Sequence, residues 1–277
     1  MIRIGHYNTL SILRETTVGL FLGDDEGNDV LLPNKYCPEK YEIGDELKVF
    51  VYLDYDERKI ATNLIPYIHM HEFALLKVTD VSNVGAFLDW GLEKNLMVPF
   101  SEQRQTMEVG RWYVVYMDLD EETDRLYASN KIEKHLDNDQ LTVKEGDEVP
   151  ILIYRETELG FSVIVNNKHK GLVFKNEVFR KMRIGETMPG YIKTIHDDNK
   201  LDVSLTPIGY ENFNSKNAEN IFRMLQDNKG FLPFTDKSTP GAIYAQFGIS
   251  KKAFKKAIGE LYKDRKIRIE TKGIRIV

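Results

Sequence analysis

Over the first three quarters of the chain, short runs rich in Val, Ile, Leu, Tyr and Phe are separated by Gly, Asn and Asp. Such runs predict short β-strands joined by tight turns. They also repeat. Val18-Gly19-Leu20-Phe21-Leu22 returns as Val84-Gly85-Ala86-Phe87-Leu88, and Val30-Leu31-Leu32-Pro33 returns as Leu96-Met97-Val98-Pro99, both displaced by 66 positions. Glu42-Ile43-Gly44 maps onto Glu108-Val109-Gly110 at the same displacement, and with a small deletion Val51-Tyr52-Leu53-Asp54 maps onto Val115-Tyr116-Met117-Asp118. Both copies close on Ala-x-Asn, at Ala61-Thr62-Asn63 and Ala128-Ser129-Asn130. A more divergent third copy follows, with Leu159-Gly160-Phe161-Ser162-Val163, Gly171-Leu172-Val173-Phe174, Ile184-Gly185-Glu186 and Leu201-Asp202-Val203-Ser204-Leu205. Each copy predicts about five strands, and closing so small a sheet into a barrel removes its exposed edges. The copies span 1–66, 67–136 and 141–206.

Beyond Pro207 the pattern changes. The stretch from Ile208 to Asn217 is polar and reads as a connector, and Ala218, Ile221, Phe222 and Leu225 then recur at helical spacing, predicting a helix from about Lys216 to Asp227. A second helix is expected from Thr239-Pro240 to Gly248, and a third from after Ser250 to about Lys263, with Phe254, Ala257, Ile258 and Leu261 facing inward. Two β runs, Ile267–Glu270 and Ile274–Val277, close the chain around a Lys272-Gly273 turn. Three helices and a hairpin over 211–277 predict a winged helix.

The run Val84-Gly85-Ala86-Phe87-Leu88, Gly171-Leu172-Val173, the element Ile43-Gly44-Asp45 and an Asp-rich turn leading into a basic strand resemble the S1 RNA-binding domain. The resemblance implies a five-stranded barrel of the OB class. Three copies followed by a winged helix resemble, over essentially the whole chain, the conserved virulence factor B family of bacterial RNA-binding regulators. The expected fold is therefore mainly β, with three tandem S1-like OB-fold barrels and a C-terminal α+β winged-helix domain. The same resemblance implies a non-enzymatic, post-transcriptional regulator of gene expression, virulence-related expression included, that binds single-stranded RNA.

Composition narrows the setting. With 42% hydrophobic and 29% charged residues the chain is of globular type, and no apolar run approaches the ~20 residues of a membrane span. The N-terminus lacks the apolar core of a signal peptide, and the single Cys37 excludes an internal disulfide framework, so a cytoplasmic location is expected. The net charge of -5 conceals an asymmetry. Residues 1–66 carry 7 Lys/Arg against 12 Asp/Glu and residues 67–140 carry 7 against 14, whereas residues 211–277 carry 14 against 7. A polyanion is drawn to the C-terminal end.

The candidate RNA contacts follow from this charge distribution and from the resemblance. Single strands are held by aromatic faces that stack on bases and by cations that neutralise phosphates. In the first two barrels the aligned aromatics are Phe21 and Phe87, with Lys59 and Arg125 as late cations, but Pro33 and Pro99 replace the family's His and the surroundings are acidic. The third barrel offers Phe174 in that His position, Phe161, and the cations Lys168, Lys170, Lys193 and Lys200. Because Phe87 aligns with Ser162, strand alternation turns Phe161 toward the opposite face unless a bulge intervenes. The winged helix offers Lys251, Lys252, Lys255, Lys256, Lys263, Arg268, Lys272 and Arg275. This is charge without base readout.

His69-Met70-His71 lacks a third ligand and makes a weak metal site, and Asp54/Asp56 and Asp118/Asp120 fit strand ends and turns better than nuclease chemistry. No catalytic residue, metal or cofactor is expected. Single-stranded RNA, bound mainly by barrel 3 and the winged helix, is the expected partner. The alternative is a DNA-binding transcription factor whose barrels dock proteins. No membrane partner is expected.

Overall fold

Three glycines at equivalent places show how the sequence repeat becomes a structural one. A Cβ on Gly19 would lie 2.1 Å from the Leu32 carbonyl oxygen, on Gly85 2.3 Å from that of Val98, and on Gly160 2.0 Å from that of Val173. Only glycine permits so close a backbone approach. The computed structural model describes residues 1–178, 180–207 and 210–277, with the backbone alone for 210–216.

The first copy contains β1 (Tyr7–Thr16), β2 (Gly19–Gly23), β3 (Asp29–Pro33), β4 (Glu46–Leu53) and β5 (Lys59–Thr62). They form a closed barrel in the order β1-β2-β3-β5-β4. The second copy repeats the topology with β6 (Phe73–Val81), β7 (Gly85–Asp89), β8 (Leu96–Pro99), β9 (Trp112–Asp120) and β10 (Arg125–Ser129). The third does so with β11 (Glu148–Glu156), β12 (Gly160–Val165), β13 (His169–Phe174), β14 (Thr187–Ile195) and β15 (Leu201–Ser204). In each, the long first strand carries a register shift at the same place, at Ile12/Arg14, Val78/Asp80 and Ile153/Arg155. The extra residue bends the strand and lets a short sheet close.

Strand register corrects two sequence alignments. Phe50 pairs with Tyr7 and Tyr116 with Phe73, so the displacement of 66 runs through β4 and β9 without the deletion expected there. Leu31 pairs with Ile60 and Met97 with Tyr127, which makes Arg58, not Lys59, the counterpart of Arg125. The length difference is one residue, and it falls in the turn.

Inside each barrel the inward residues form a core, for example Leu20, Leu22, Val49 and Val51 in the first and Val163, Val173, Ile192 and Val203 in the third. β4 breaks the usual alternation. Its outward residues Phe50 and Tyr52 are 0% and 3% exposed because they pack with Ile68, Met70, Trp90 and Leu92 of the second copy. Trp90 meets both rings edge-on, at 5.9 Å and 6.1 Å between centroids. Barrels 1 and 2 thus share a hydrophobic cluster, and the chain divides into the units Met1–Leu136 and Asp137–Val277.

The C-terminal part contains α1 (Tyr210–Asp227), β16 (Phe231–Leu232), α2 (Pro240–Phe247), α3 (Lys251–Lys263), β17 (Ile267–Glu270) and β18 (Gly273–Ile276). Local signals set the helix ends as expected. The Thr239 hydroxyl accepts from the Ala242 amide, Gly248 closes α2 at φ 67°, and the Ser250 hydroxyl accepts from the Ala253 amide at 3.0 Å. Three details differ from expectation. α1 begins at Tyr210, inside the stretch read as a connector, whose Ile208 and Gly209 lie outside the described residues. Phe231–Leu232 adds a third strand, giving the order β16-β18-β17. The hairpin turn is Thr271-Lys272, with Gly273 paired to Glu270. Among the described residues no helix is long and apolar enough to cross a membrane.

Candidate nucleic-acid interface

In α3 the buried stripe of Ala253, Phe254, Ala257, Ile258 and Leu261 leaves the opposite side to solvent. Lys252, Lys255, Lys256 and Lys263 are exposed there. Their helical spacing places them around Gly259, where an added Cβ would meet nothing within 4 Å. A mid-helix glycine costs roughly 0.5–1 kcal/mol relative to alanine, and packing does not require this one. Its effect is to leave the helix backbone open in the middle of a basic face. Tyr262, 57% exposed, stands at the C-terminal end of the same side. Neither Gly259 nor Tyr262 was singled out from the sequence, although an aromatic on the polar side of an amphipathic helix is a readable signal.

The sheet beside α3 adds a second basic surface. Register places Phe231, Arg275 and Arg268 side by side across three strands. Two arginines directly opposite repel each other. Arg275 is settled by Glu270 at 3.1 Å and by the Phe231 ring at 4.7 Å, whereas among the described residues Arg268 has no ion-pair partner. The same holds for Lys251, Lys252, Lys263 and Lys272, while Lys255 lies 3.9 Å from Asp236.

In barrel 3, strand alternation and register bring Lys170, Leu172 and Phe174 of β13 beside Asp202 of β15 on one outer face, with Lys200 immediately before that strand. Phe174 is half-buried at the end of β13. Phe161, by contrast, packs in the barrel core at 9% exposure, paired with Val173, so the structure does not bring it to that face. The bulge lies in β11 and leaves the alternation of β12 intact. Three of the predicted cations are held by carboxylates: Lys168 by Asp137 at 3.4 Å, Lys200 by Asp198 at 2.5 Å, and Lys193 by Glu177. The exposed pairs, Lys168–Asp137 and Lys200–Asp198, contribute little stability.

The first two barrels differ. In barrel 1 the Phe21 ring is already covered by the Arg14 guanidinium, 4.1 Å from its centroid, and Asp29 holds Arg14 at 2.8 Å. In barrel 2, Phe87, Met97, Pro99 and Tyr127 line a cleft of about 1000 Å³ that barrel 1 overhangs with Tyr55 and Glu57. The Glu57 carboxylate takes the Arg125 guanidinium at 3.0 Å and the Lys94 ammonium at 3.2 Å. Partial burial pushes the Glu57 carboxyl up, but hydrogen bonds from Arg125 and Lys94 outweigh this and leave it below the ordinary value. Arg125 therefore already has its anion.

The histidine and carboxylate motifs have structural roles. His69 and His71 lie in a turn rather than on a strand, with His71 at φ 61°. His69 pairs with Glu72 at 3.0 Å and His71 with Asp118 at 3.4 Å. Asp54 accepts the amides of Asp56 and Arg58 at 2.9 Å, and Asp120 accepts that of Glu122 at 3.0 Å, so both close turns. Among the described residues no three His, Cys, Asp or Glu side chains are grouped to hold a metal.

Comparison with known proteins agrees with this architecture. The CvfB-like winged helix domain family matches residues 219–276, and the S1 domain family matches residues 4–64. The uncharacterized protein YitL of Bacillus subtilis is 31% identical over 274 residues, which is 96% of this chain and 91% of that protein. Conserved virulence factor B of Staphylococcus aureus is 30% identical over 245 residues, 84% of this chain and 80% of the relative. A solved structure of a Streptococcus pneumoniae multidomain protein with nucleic acid binding domains aligns at 25% identity and a TM-score of 0.44, covering 99% of this chain and 98% of that one. Three S1-type barrels, a winged helix of the matching type and this extent of identity place the chain in the conserved virulence factor B family.

Proposed function

We propose that this protein is a cytoplasmic, non-enzymatic RNA-binding regulator that acts after transcription and holds single-stranded RNA through barrel 3 and the winged helix. The observation that carries the reading is the lysine face of α3, centred on a glycine with open space above it and flanked by the Arg268–Arg275 row. Phosphates neutralise such a face, and the released counterions drive binding. Phe174 supplies a stacking surface, and Lys170 and Lys200 share its side of the barrel. Two weak modules on one chain raise each other's effective concentration, so the intact protein binds more tightly than either module. The units doing this are the third barrel, 141–206, and the winged helix, 211–277, with barrels at 1–66 and 67–136. The name of the relatives supports a role in virulence-related expression.

A second reading is that α3 enters the major groove of duplex DNA, which the lysines on the exposed side of a 13-residue helix favour. Fluorescence anisotropy of the full chain with labelled single-stranded RNA, beside duplex DNA of equal length at two salt concentrations, separates the two. Tighter, salt-sensitive binding of RNA is expected, and preference for the duplex would replace the first reading with the second. Labelled RNA incubated with pure protein and Mg²⁺ is expected to stay intact.

A further inference from the structure

The cleft over barrel 2 lies on the face that register matches to the Phe174 side of barrel 3, but it carries the wrong charge for a phosphate chain. Its floor is apolar and aromatic, formed by Phe87, Met97, Pro99 and Tyr127. Asp80, directly across from Phe87 in the β6–β7 pair, stands in its wall with Asp120, Glu122, Glu57 and Glu102. The two cations of the lining, Lys94 and Arg125, are both bound to Glu57. Burial raises the Tyr127 phenol, and Asp118, Glu102 and Asp120 push it the same way, as a negative potential over this floor requires. Like charges repel a nucleic-acid backbone from such a wall.

We propose that this cleft binds an arginine-bearing segment of a partner polypeptide. A guanidinium is planar and weakly hydrated, stacks on aromatic rings and forks onto carboxylates, and its methylene stem suits an apolar floor. The volume of about 1000 Å³ is at the upper limit for small-molecule pockets and far more than a single amine fills. It matches several residues of extended chain. Barrel 1 contributes by positioning Glu57, which binds both cations of the lining, Arg125 and Lys94.

The test uses the intact protein and a fluorescein-labelled, amidated peptide of three Arg-Gly-Ser repeats, followed by anisotropy. Asp80→Lys with Glu122→Lys is expected to weaken peptide binding by about tenfold or more, while Glu39→Lys with Glu46→Lys, exposed acids outside the cleft lining, changes it by less than about twofold. Phe87→Ala is expected to weaken it by about threefold with an unchanged salt dependence. If the charge reversals perturb the fold by circular dichroism, Asp80→Asn with Glu122→Gln replaces them and is expected to act in the same direction. Equal losses in the cleft and control variants would overturn the site. Displacement by an equal concentration of spermine would overturn the polypeptide assignment. RNA affinity of the cleft variants is measured in parallel and is expected to stay unchanged, so failure here is distinct from failure of the RNA reading.

Discussion

Barrels 2 and 3 have the same strand order and the same bulge, yet their outer faces are chemically opposite. At matched positions barrel 2 carries Phe87, Met97, Pro99, Tyr127 and Arg125, whereas barrel 3 carries Ser162, Leu172, Phe174, Asp202 and Lys200. The aromatic has moved from the second strand to the end of the third. Around it, acids and an overhanging neighbour close one face, and lysines flank the other. A closed barrel is specified by its inward residues, so its outer face is free to take on a new role without a change of fold.

The sharpest way to break this contrast is to reverse charge on the proposed RNA side. Lys252, Lys255 and Lys256 changed together to Glu should lower RNA affinity roughly a hundredfold at low salt and reduce the log–log salt slope by about 2, near the ~0.7 per contact of single strands. Arg125→Glu, on the closed face, should leave it within about twofold, since Glu57 already neutralises that side chain. Anisotropy over a salt series checks both.

Removing a ring comes next. Phe174→Ala should lose about fivefold or more, from ~1–3 kcal/mol of stacking, with the salt slope unchanged. Phe87→Ala should leave RNA affinity where it was. Circular dichroism checks that each variant remains folded.

Acid should lower stability through His135, which follows the last strand of barrel 2. His135 stacks on Tyr116 of β9 at 4.1 Å, and burial holds its imidazole below the ordinary value. The unfolded chain therefore binds a proton that the folded one does not. Stability is full above the unfolded value near ~6.5 and falls as pH drops through it toward the folded value. Thermal melts at pH 7.5 and 5.5 should show a lower midpoint in acid, with a smaller drop in His135→Phe.

The smallest expected effect is the most diagnostic of the α3 face. Gly259→Ala should stabilise the winged helix by about 0.5–1 kcal/mol while weakening RNA binding by about threefold, because the methyl group fills the open approach to the backbone. Urea unfolding and anisotropy on the same variant test the two signs together.

Much of the architecture was legible in the chain. The glycine before each Leu/Ala/Phe-Phe/Ser run marked a backbone contact that no side chain tolerates, and the Thr239 and Ser250 caps placed two helices by their own hydrogen bonds. Other features resisted reading for definable reasons. The polar start of α1 has no apolar periodicity, and a two-residue strand such as Phe231–Leu232 is too short to show alternation. The counterpart of Arg125 was misplaced by one residue because a turn absorbs an insertion that only strand pairing can locate. The run Lys48-Val49-Phe50-Val51-Tyr52-Leu53 did carry a signal of burial on both faces, a continuous apolar strand, but not the identity of what covers it.

By itself the sequence determined the repeated barrel, the winged helix and the separation of charge toward the C-terminus, because periodicity, caps and composition are local properties of the chain. The tertiary structure alone decided which cations are available. Arg125 reads as a late cation in the sequence, but Glu57, 68 positions earlier and in the neighbouring barrel, holds it. Charge acts through space, and the groups that neutralise it are brought together only when the chain folds.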